Sequence, residues 1–290
     1  MQVGLHALGI GAGAERAVID AVASRADECG FATLWAGEHV VMVDRSASRY
    51  PYSDDGVIAV PAQADWLDPM VTLAFAAAAS SRITIATGVL LLPEHNPVVV
   101  AKQAASLDRL SGGRLTLGVG VGWSKEEFAA LGVPFEHRAA RTAEYVAAMR
   151  TVWRDDVASF HGTFVGFDSI RVYPKPVRDR RIPIMLGGNS DPALRRVAAW
   201  GDGWYGFNLD DVAAVRECLA KLDRLCDEAG RDRAELRLAV ALRDPRENDV
   251  NALAELGVDE LVLVVIPPER ADAVADWVAA LADRWIENRS

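Results

Sequence analysis

The 290-residue chain is short of cysteine, of positive charge and of long hydrophobic runs. Its three cysteines are odd in number and lack metal-site spacing, so they indicate reduced thiols rather than a disulfide framework. A net charge of -10 disfavours nucleic-acid binding, because phosphate backbones favour a basic face. No apolar run could span a bilayer, and no export leader follows Met1. We therefore expect a cytoplasmic protein with a small-molecule partner and no membrane or nucleic-acid partner.

Common site signatures are missing as well. The stretch GIGAG at residues 9–13 follows a predicted strand, but its spacing is not the three-glycine pattern of dinucleotide-binding proteins. No group of histidines, cysteines or carboxylates has metal-ligand spacing, and no serine stands in a nucleophile elbow. The sequence therefore predicts no metal site and gives no support for a serine nucleophile.

What the chain does contain is an alternation of buried strands with helices. Residues 83–92 and 115–121 are too apolar for half-exposed strands and are typical of parallel strands covered on both faces. Roughly eight strand and helix pairs follow one another without a linker. Short alternation over residues 157–172 indicates an inserted hairpin. We predict an α/β fold, a (β/α)8 TIM barrel formed by a single domain over residues 1–290.

A long polar segment, residues 44–65, follows the second predicted strand. Loops of this length in compact domains are usually lids or binding loops, and this one carries tyrosines and arginines. We expect Tyr50, and Trp66 directly after the segment, to cover a ligand. An ordinary surface excursion is the other interpretation.

The carboxyl ends of barrel strands share one face, and the active site of such barrels lies there. His39, after the second strand, has the ionisation range for proton transfer near neutral pH, and Glu38 beside it would point the other way. A hydrogen-bonded structural histidine is the alternative. His6 and Trp204 come from other strand ends and are expected to line a substrate pocket.

Glycines mark several of these strand ends. Gly118, Gly120 and Gly122 alternate along one strand face, where they either admit a bulky ligand or relieve crowding inside the barrel. Residues 187–190, Gly-Gly-Asn-Ser, open a helix whose unpaired N–H groups suit a phosphate. A plain strand-to-helix loop would have the same pattern.

Five stretches carry a resemblance to a known family: FATLWAGEH (31–39), TGVLLLPEHNP (87–97), SGGRLTLGVGVGW (111–123), KEEFAALGVPFEHRAARTAEY (125–145) and PIMLGGNSDPALRRVA (183–198). In this order they resemble the luciferase-like monooxygenase superfamily over nearly the whole chain. Within it, the similarity is to the actinobacterial branch that depends on coenzyme F420, a 5-deazaflavin. FMN-dependent relatives share the same barrel.

The resemblance implies a tricyclic cofactor on the C-terminal face of the barrel. A non-prolyl cis peptide is expected behind the ring, between Gly88 and Val89. His39 stands where deazaflavin-dependent dehydrogenases have an active-site histidine, in an acid–histidine pair that here reads Glu38-His39. Trp123 replaces the glutamate of the sugar-phosphate dehydrogenases, which favours an apolar or aromatic substrate. The expected cofactor-binding residues are Glu38, Thr87, Gly88, Val89, Gly120, Gly122, Trp123, Gly187, Gly188, Asn189 and Ser190.

From the sequence we therefore predict an F420-dependent oxidoreductase that transfers a hydride between the deazaflavin and a small organic substrate, with His39 as the catalytic acid or base. An FMN-dependent two-component monooxygenase is the first alternative. A non-catalytic flavin-binding barrel, which would not need His39, is the second. We also expect a homo-oligomer, a dimer, and tighter binding of F420 than of FMN.

Overall fold

The computed structural model describes residues 1–287, and in this part of the chain nine strands form one parallel sheet. Eight of them close into a ring, in which each strand pairs with its neighbours and the third pairs with the fifth. The predicted (β/α)8 barrel is confirmed. The strands are β1 (Gln2–Leu8), β2 (Thr33–Ala36), β3 (Thr84–Thr87), β4 (Leu90–Leu91), β5 (Leu115–Gly120), β6 (Ala158–His161), β7 (Gly166–Ile170), β8 (Ile184–Gly187), β9 (Gly203–Leu209), β10 (Arg237–Leu242) and β11 (Glu260–Val264).

The strand β4 extends β5 outside the ring, and β6 and β7 form the predicted antiparallel hairpin. Helices cover the outside of the barrel. They are α1 (Arg16–Glu28), α2 (Pro69–Ala78), α3 (Pro97–Leu110), α4 (Lys125–Ala130), α5 (Arg138–Arg154), α6 (Asp191–Trp200), α7 (Val212–Ala229), α8 (Asp249–Glu255) and α9 (Ala271–Ala282).

Strand side chains alternate between the barrel interior and the helix layer. The interior is filled rather than open, since Trp35 and Tyr205 stack there with their ring centroids 4.5 Å apart. Trp35 also donates from Nε1 to Glu260 Oε1 at 3.0 Å. The interior cluster consists of Trp35, Ala86, Met185, Tyr205, Ala239, Ala241 and Val262.

One strand is shorter than its sequence pattern predicts. Residues 83–92 read as a single strand, but β3 ends at Thr87 and pairing resumes only at Leu90. The peptide between Gly88 and Val89 is cis, so the expected cis bond is confirmed. The interruption therefore falls at the place where the family resemblance puts the cofactor ring.

Helix starts depend on side chains that accept hydrogen bonds from N–H groups with no partner inside the helix. Asn96 accepts from the N–H groups of Val98 and Val99 at 3.0 and 3.2 Å and so begins α3. Ser124 accepts from the N–H of Glu127 at 3.2 Å and begins α4. The second cap fixes the helical turn that carries Glu127 to the barrel mouth.

The segment between β2 and α2, residues 37–68, passes over the C-terminal ends of the strands. We call it the lid. No helix within residues 1–287 has the length and the apolar composition needed to cross a membrane. Cys218 and Cys226 are free thiols. The assignment of residues 1–290 to a single domain stays a prediction.

Candidate active site

His39 follows β2 at the barrel mouth and is held by a carboxylate from a distant helix. Its Nδ1 lies 2.8 Å from Oε2 of Glu127, and both side chains are buried, with 8% and 1% of their surface exposed. The other carboxylate oxygen of Glu127 accepts from the N–H groups of Val40 and Val41 at 2.8 and 3.0 Å. Three hydrogen bonds thus fix the carboxylate, and the carboxylate orients the imidazole so that Nε2 is left for a ligand.

Glu38, the neighbour of His39 in sequence, points the other way, as predicted. Its Oε2 accepts from the N–H of Leu91 at 2.6 Å, and its Oε1 lies 3.0 Å from Nε2 of His95. Burial lowers the pKa of His95, but the hydrogen bond and the charge of Glu38 outweigh it and raise the pKa above its usual range. The adjacent residues Glu38 and His39 therefore belong to two separate pairs in the structure, Glu38 with His95 and His39 with Glu127.

Aromatic rings surround the imidazole of His39. Trp66 and Trp123 meet it edge-on, with ring centroids at 4.9 and 5.7 Å. Tyr50 of the lid lies 5.4 Å from Trp123. Trp66 donates from Nε1 to the carbonyl of Gly37 at 3.1 Å, which fastens the end of the lid to the end of β2. The lid therefore supplies two walls of an apolar pocket around His39.

Tyr52 continues this aromatic wall towards β9. Its ring lies 5.5 Å from Tyr50 and 5.3 Å from Phe207. Burial raises the pKa of Tyr52 to about 12, so its phenol keeps its proton at neutral pH. Asn208 donates from Nδ2 to the carbonyl of Tyr52 at 2.7 Å, which ties the middle of the lid to β9.

His6 lies just beneath the mouth rather than in it. Its Nδ1 is 3.1 Å from the hydroxyl of Tyr205 inside the barrel. A Cβ added at Gly37 or at Gly88 would stand 3.2 or 3.1 Å from the imidazole, so these two glycines cover the ring. Burial lowers the pKa of His6 to about 4, and the ring is neutral at physiological pH. His6 therefore supports the floor of the pocket.

The expectation that Trp204 lines the pocket is wrong. Its side chain is fully buried in the outer core, and its Nε1 donates to the carbonyl of Gly188 at 2.9 Å. The next residue, Tyr205, faces the barrel interior instead, and Phe207 follows it on the same strand. Because both Trp204 and Tyr205 are aromatic, alternation alone did not show which of the two faces inwards.

Two of the strand-end glycines relieve crowding inside the barrel. A Cβ at Gly118 would stand 2.0 Å from the carbonyl oxygen of Thr87, and one at Gly120 would stand 2.7 Å from the side chain of Val89. Thr87 is itself fully buried and donates to the carbonyl of Gly118 at 2.7 Å. Gly187 also adjoins Val89, at 3.0 Å. These positions shape the barrel around Val89, and of this group only Val89 and Gly187 are partly exposed.

The glycine turn before α6 has part of the geometry that a phosphate site requires. Gly188 has φ +112, and a Cβ there would stand 2.9 Å from Ala193 and 3.9 Å from the hydroxyl of Tyr52. Ser190 precedes the helix without forming a side-chain cap. The amide of Asn189 is engaged with the backbone of Phe207, to which it donates at 2.7 Å. The turn thus offers backbone rather than side-chain groups to a ligand.

Glu94 is a buried carboxyl without a hydrogen-bond partner among residues 1–287. Only 8% of the residue is exposed, and neither carboxyl oxygen has a donor. Its Oε1 would lie 3.0 Å from a Cβ at Gly122. Burial, followed by the charges of Glu127 and Glu38, raises the pKa of Glu94 to about 9. Glu94 is therefore protonated at neutral pH. Within the described chain, no group of His, Cys, Asp and Glu is arranged to hold a metal.

We expect Glu94→Gln to flatten the dependence of stability on pH. The pKa of Glu94 is 4.5 in the unfolded chain and about 9 in the folded protein. Between these pH values the carboxyl is therefore protonated in the folded protein and ionised in the unfolded chain. The free energy of unfolding of the parent therefore falls as pH rises through this window, whereas glutamine stays neutral throughout. The melting temperature of the variant minus that of the parent should therefore increase from pH 5 to pH 9.

Thermal unfolding of both proteins at several pH values measures this difference directly. Groups such as His95 titrate in both proteins and cancel in the comparison. Glu136→Gln, the same change at an exposed glutamate, should follow the parent at every pH. Parallel curves for the parent and Glu94→Gln would show that Glu94 is ionised in the folded protein.

Comparison with known proteins identifies the family of the chain. The model of the luciferase-like monooxygenase family matches residues 5–283. The chain belongs to this family. An uncharacterised protein of Mycobacterium tuberculosis is 35% identical over 270 residues, which cover 92% of this chain and 94% of that protein. The FMNH2-dependent dimethylsulfone monooxygenase of Pseudomonas putida is 32% identical over 186 residues, 62% of this chain and 50% of that enzyme.

A solved structure of the coenzyme F420-dependent tetrahydromethanopterin reductase of Methanopyrus kandleri has the same fold. It superposes with a TM-score of 0.75 at 16% identity and covers 100% of this chain and 99% of its own. At that identity the likeness supports the luciferase-like barrel and nothing finer.

One polar site residue of this luciferase-like barrel, Glu127, was missed by sequence reasoning. Its stretch was quoted only for the family resemblance, and its place three residues after Ser124 indicates a capping box rather than a partner for His39. Only the closed barrel brings Glu127 of α4 to the end of β2.

Proposed function

We propose that the chain is an F420-dependent oxidoreductase that transfers a hydride between the deazaflavin and a small organic substrate. The observation that carries this proposal is the buried His39–Glu127 pair, 2.8 Å apart, at the barrel mouth. Hydride transfer to or from a carbon–oxygen bond needs a proton donor or acceptor near the oxygen, and a positioned histidine fills that role near neutral pH. A barrel that only sequestered flavin would not need one.

His39 acts as the acid or base through Nε2, because Nδ1 is engaged with Glu127. A proton gained at Nε2 makes the ring an imidazolium, and the carboxylate 2.8 Å from Nδ1 stabilises that charge. Trp66 and Trp123 keep water from the ring faces. Glu127 is thus a positioning residue, and His39 is the catalytic one.

The residues that would hold the cofactor are Gly88, Val89, Gly122, Trp123 and the turn of residues 187–190. Val89 packs against the interior cluster and lies 3.0 Å from the position of a Cβ at Gly187. When bound, the deazaflavin would supply the hydride chemistry, and the protein would supply position and exclusion of water. The backbone of Gly188 suits the approach of a phosphate, since the turn has no Cβ in the way. Glu38 takes part only indirectly, by fixing Leu91 and His95.

The substrate would lie against the aromatic wall. Tyr50, Trp66, Trp123 and Phe207 present rings, and the phenol of Tyr50 has its pKa raised by burial, so the wall carries no charge. An uncharged aromatic pocket favours a small apolar or aromatic substrate over a sugar phosphate. This choice of substrate is part of the proposal.

An FMN-dependent monooxygenase is the second candidate, and one observation favours it. The relative from Pseudomonas putida that shares 32% identity is by name an FMNH2-dependent monooxygenase. The reductase of Methanopyrus kandleri, by name F420-dependent, has the same fold over the whole chain. Cofactor preference therefore decides between the two candidates.

Titration of the purified protein with F420 and with FMN, followed by cofactor fluorescence, measures that preference. We expect F420 to bind more tightly than FMN. Equal or tighter binding of FMN would favour the monooxygenase. Turnover with any substrate would exclude a non-catalytic flavin-binding barrel, which should bind cofactor and nothing else.

We further propose that two copies pair through α2 in the cytoplasm. This helix has no charged residue, and its outer face exposes Val71 and Phe75, at 55% and 41%. Val99 of the neighbouring α3 is also exposed, at 54%. The guanidinium of Arg16 lies 5.5 Å from the centre of the Phe75 ring, and the helix itself offers an apolar face suited to a second copy of the chain. A single monomer mass in sedimentation at micromolar concentration would contradict the dimer.

A further inference from the structure

Two successive glutamates of α4 hold the first half of the lid. Glu127 binds the beginning of the lid, as described above. Glu126 binds a later part: its Oε1 accepts from the N–H groups of Ala47 and Ser48 at 2.8 and 3.2 Å. Its Oε2 accepts from the hydroxyl of Ser46 at 3.3 Å. The proposed chemistry uses Glu127 and gives no role to Glu126.

The contact between the lid and α4 is reciprocal. The hydroxyl of Ser48 accepts from the N–H of Lys125 at 3.0 Å, an N–H at the first helical position that has no acceptor inside the helix. Hydrogen bonds from Ser48 and from backbone N–H groups lower the pKa of Glu126 to about 2, so its carboxylate is charged at physiological pH. The lid therefore caps the helix, and the helix binds the lid through a charged acceptor.

The parts of the lid on either side of these contacts are less firmly held. Among residues 1–287, residues 42–45 form no hydrogen bond with any other residue, and residues 57–64 form none outside the lid. Between its two ends the lid is held by α4 and by contacts of residues 52–54 with β9 and with the residue after β10. The contacts with α4 are the larger of these two sets.

Residues 46–48 lead directly into the aromatic wall of the pocket. Tyr50 follows Ser48 by two residues, and its ring lies 5.4 Å from the ring of Trp123. Trp123 in turn lies 5.7 Å from His39 and directly precedes the cap of α4. The place at which α4 holds residues 46–48 therefore sets the position of Tyr50 relative to Trp123.

We infer that Glu126 is a positioning residue that holds residues 46–48 on α4 and so keeps Tyr50 closed over the pocket. That the pocket takes a cofactor rests on the proposed function. A lid must open for a ligand to enter and leave, and contacts made only in the closed state set the closed fraction. Because Glu126 and Glu127 are successive residues of one helix, α4 fixes the lid and the imidazole of His39 together.

Trypsin cleavage after Arg45 and Arg49 measures opening of the lid without any ligand. Both arginines are exposed, and they flank residues 46–48. Cleavage of a segment that must open first follows the fraction of molecules in which it is open. Glu126→Ala should increase the rate of cleavage at these two sites by about 10- to 100-fold, the range for loss of a hydrogen bond to a charged group. Fragment masses identify the sites.

Dissociation of F420 measures the consequence for the pocket. Bound F420 is released by dilution and followed by its fluorescence in the parent and in Glu126→Ala. The variant should release it about 3- to 10-fold faster, because its lid is open for a larger fraction of the time. The rate of dissociation reports the lid, whereas a loss of overall stability alone would not change it.

A carboxylate of the hairpin provides the matched control. Glu144 accepts from the N–H groups of Thr163, Phe164 and Val165 at 2.9, 2.6 and 2.8 Å, so it holds the hairpin turn in the way that Glu126 holds the lid. Glu144→Ala removes a comparable set of hydrogen bonds far from the lid in sequence. It should leave cleavage at the two lid sites and release of F420 unchanged.

Two further variants test the contact from both sides. Glu126→Gln keeps an acceptor oxygen and should retain part of the protection from trypsin. Ser48→Ala removes the hydroxyl on the lid and should increase cleavage on its own. Combined with Glu126→Ala, its effect should be less than additive, because both changes act on one contact. If Glu126→Ala does not fold, as its melting curve would show, Ser48→Ala supplies the same test.

Equal cleavage after Arg45 and Arg49 in the parent and in Glu126→Ala would overturn the inference. Faster cleavage with unchanged release of F420 would remove the link between Glu126 and the pocket and leave a purely structural contact. Failure of the proposed function is a separate result. If F420 did not bind to the parent, the F420 assignment would fall, while the cleavage rates would still decide whether Glu126 holds the lid.

Discussion

Replacing His39 by alanine is expected to lower turnover by roughly 100- to 10,000-fold, the range for loss of a positioned acid or base. Cofactor affinity should remain nearly unchanged, because the imidazole is fixed by its hydrogen bond to Glu127, and of the residues proposed to hold the cofactor Trp123 meets it only by a ring contact at 5.7 Å. Steady-state rates at saturating cofactor, together with the fluorescence titration, measure the two effects separately. Loss of turnover with intact binding is the signature of a catalytic residue.

The variants around His39 separate chemistry from position. His161→Ala removes a histidine of the hairpin whose side chain is 71% exposed, and it should leave turnover unchanged. Glu127→Gln keeps the shape of the carboxylate but not its charge, so the imidazolium loses its stabilisation and the pH profile of turnover should shift. Full activity of His39→Ala would return His39 to a structural role and remove the main support for an oxidoreductase.

The barrel could be predicted because its signal is local. Each buried strand is an apolar run that ends at a polar or glycine residue, and each helix has its own periodicity and cap, as at Asn96 and Ser124. The cis peptide at Gly88 came from the family resemblance and not from the residues themselves. The fold class therefore followed from many independent short patterns, any one of which could fail without changing the result.

The site was predicted less completely because its contacts are long-range. His39 was found by its position at a strand end, but its partner Glu127 lies 88 residues further along. The family resemblance pairs Glu38 with His39, whereas strand geometry predicts that neighbouring side chains point to opposite faces, and the structure agrees with the strand geometry. Such pairs depend on the closure of the barrel, which no local pattern contains.

The glycines at the strand ends are a second case in which local sequence did not determine the role of a residue. The sequence left open whether Gly118 and Gly120 admit a ligand or relieve crowding, since both roles need a missing side chain. The structure fills the space beside Gly118 with the backbone of Thr87 and the space beside Gly120 with Val89. Gly188 differs, because its φ of +112 and its position before α6 leave backbone exposed at the mouth. Composition alone did not distinguish these cases.

Replacing Gly188 by aspartate is expected to weaken binding of either cofactor by about 100- to 1,000-fold. The new carboxylate would stand at the turn proposed for the phosphate, and two like charges about 4 Å apart near a protein surface repel by about 4 kcal/mol. Affinity for the uncharged counterparts, the dephosphorylated deazaflavin core and riboflavin, should fall much less. Fluorescence titration of each charged ligand with its uncharged counterpart measures the repulsion itself.

Gly188→Ala is the control that removes the charge from this comparison. Any side chain at φ +112 is strained, and a Cβ there would stand 2.9 Å from Ala193, so both variants should melt below the parent. The difference between aspartate and alanine then reports the added carboxylate, because both share the backbone strain and the steric contact of Cβ. If the two variants bound the charged cofactors equally well, the phosphate would lie elsewhere, and the assignment of residues 187–190 to the cofactor would fall with it.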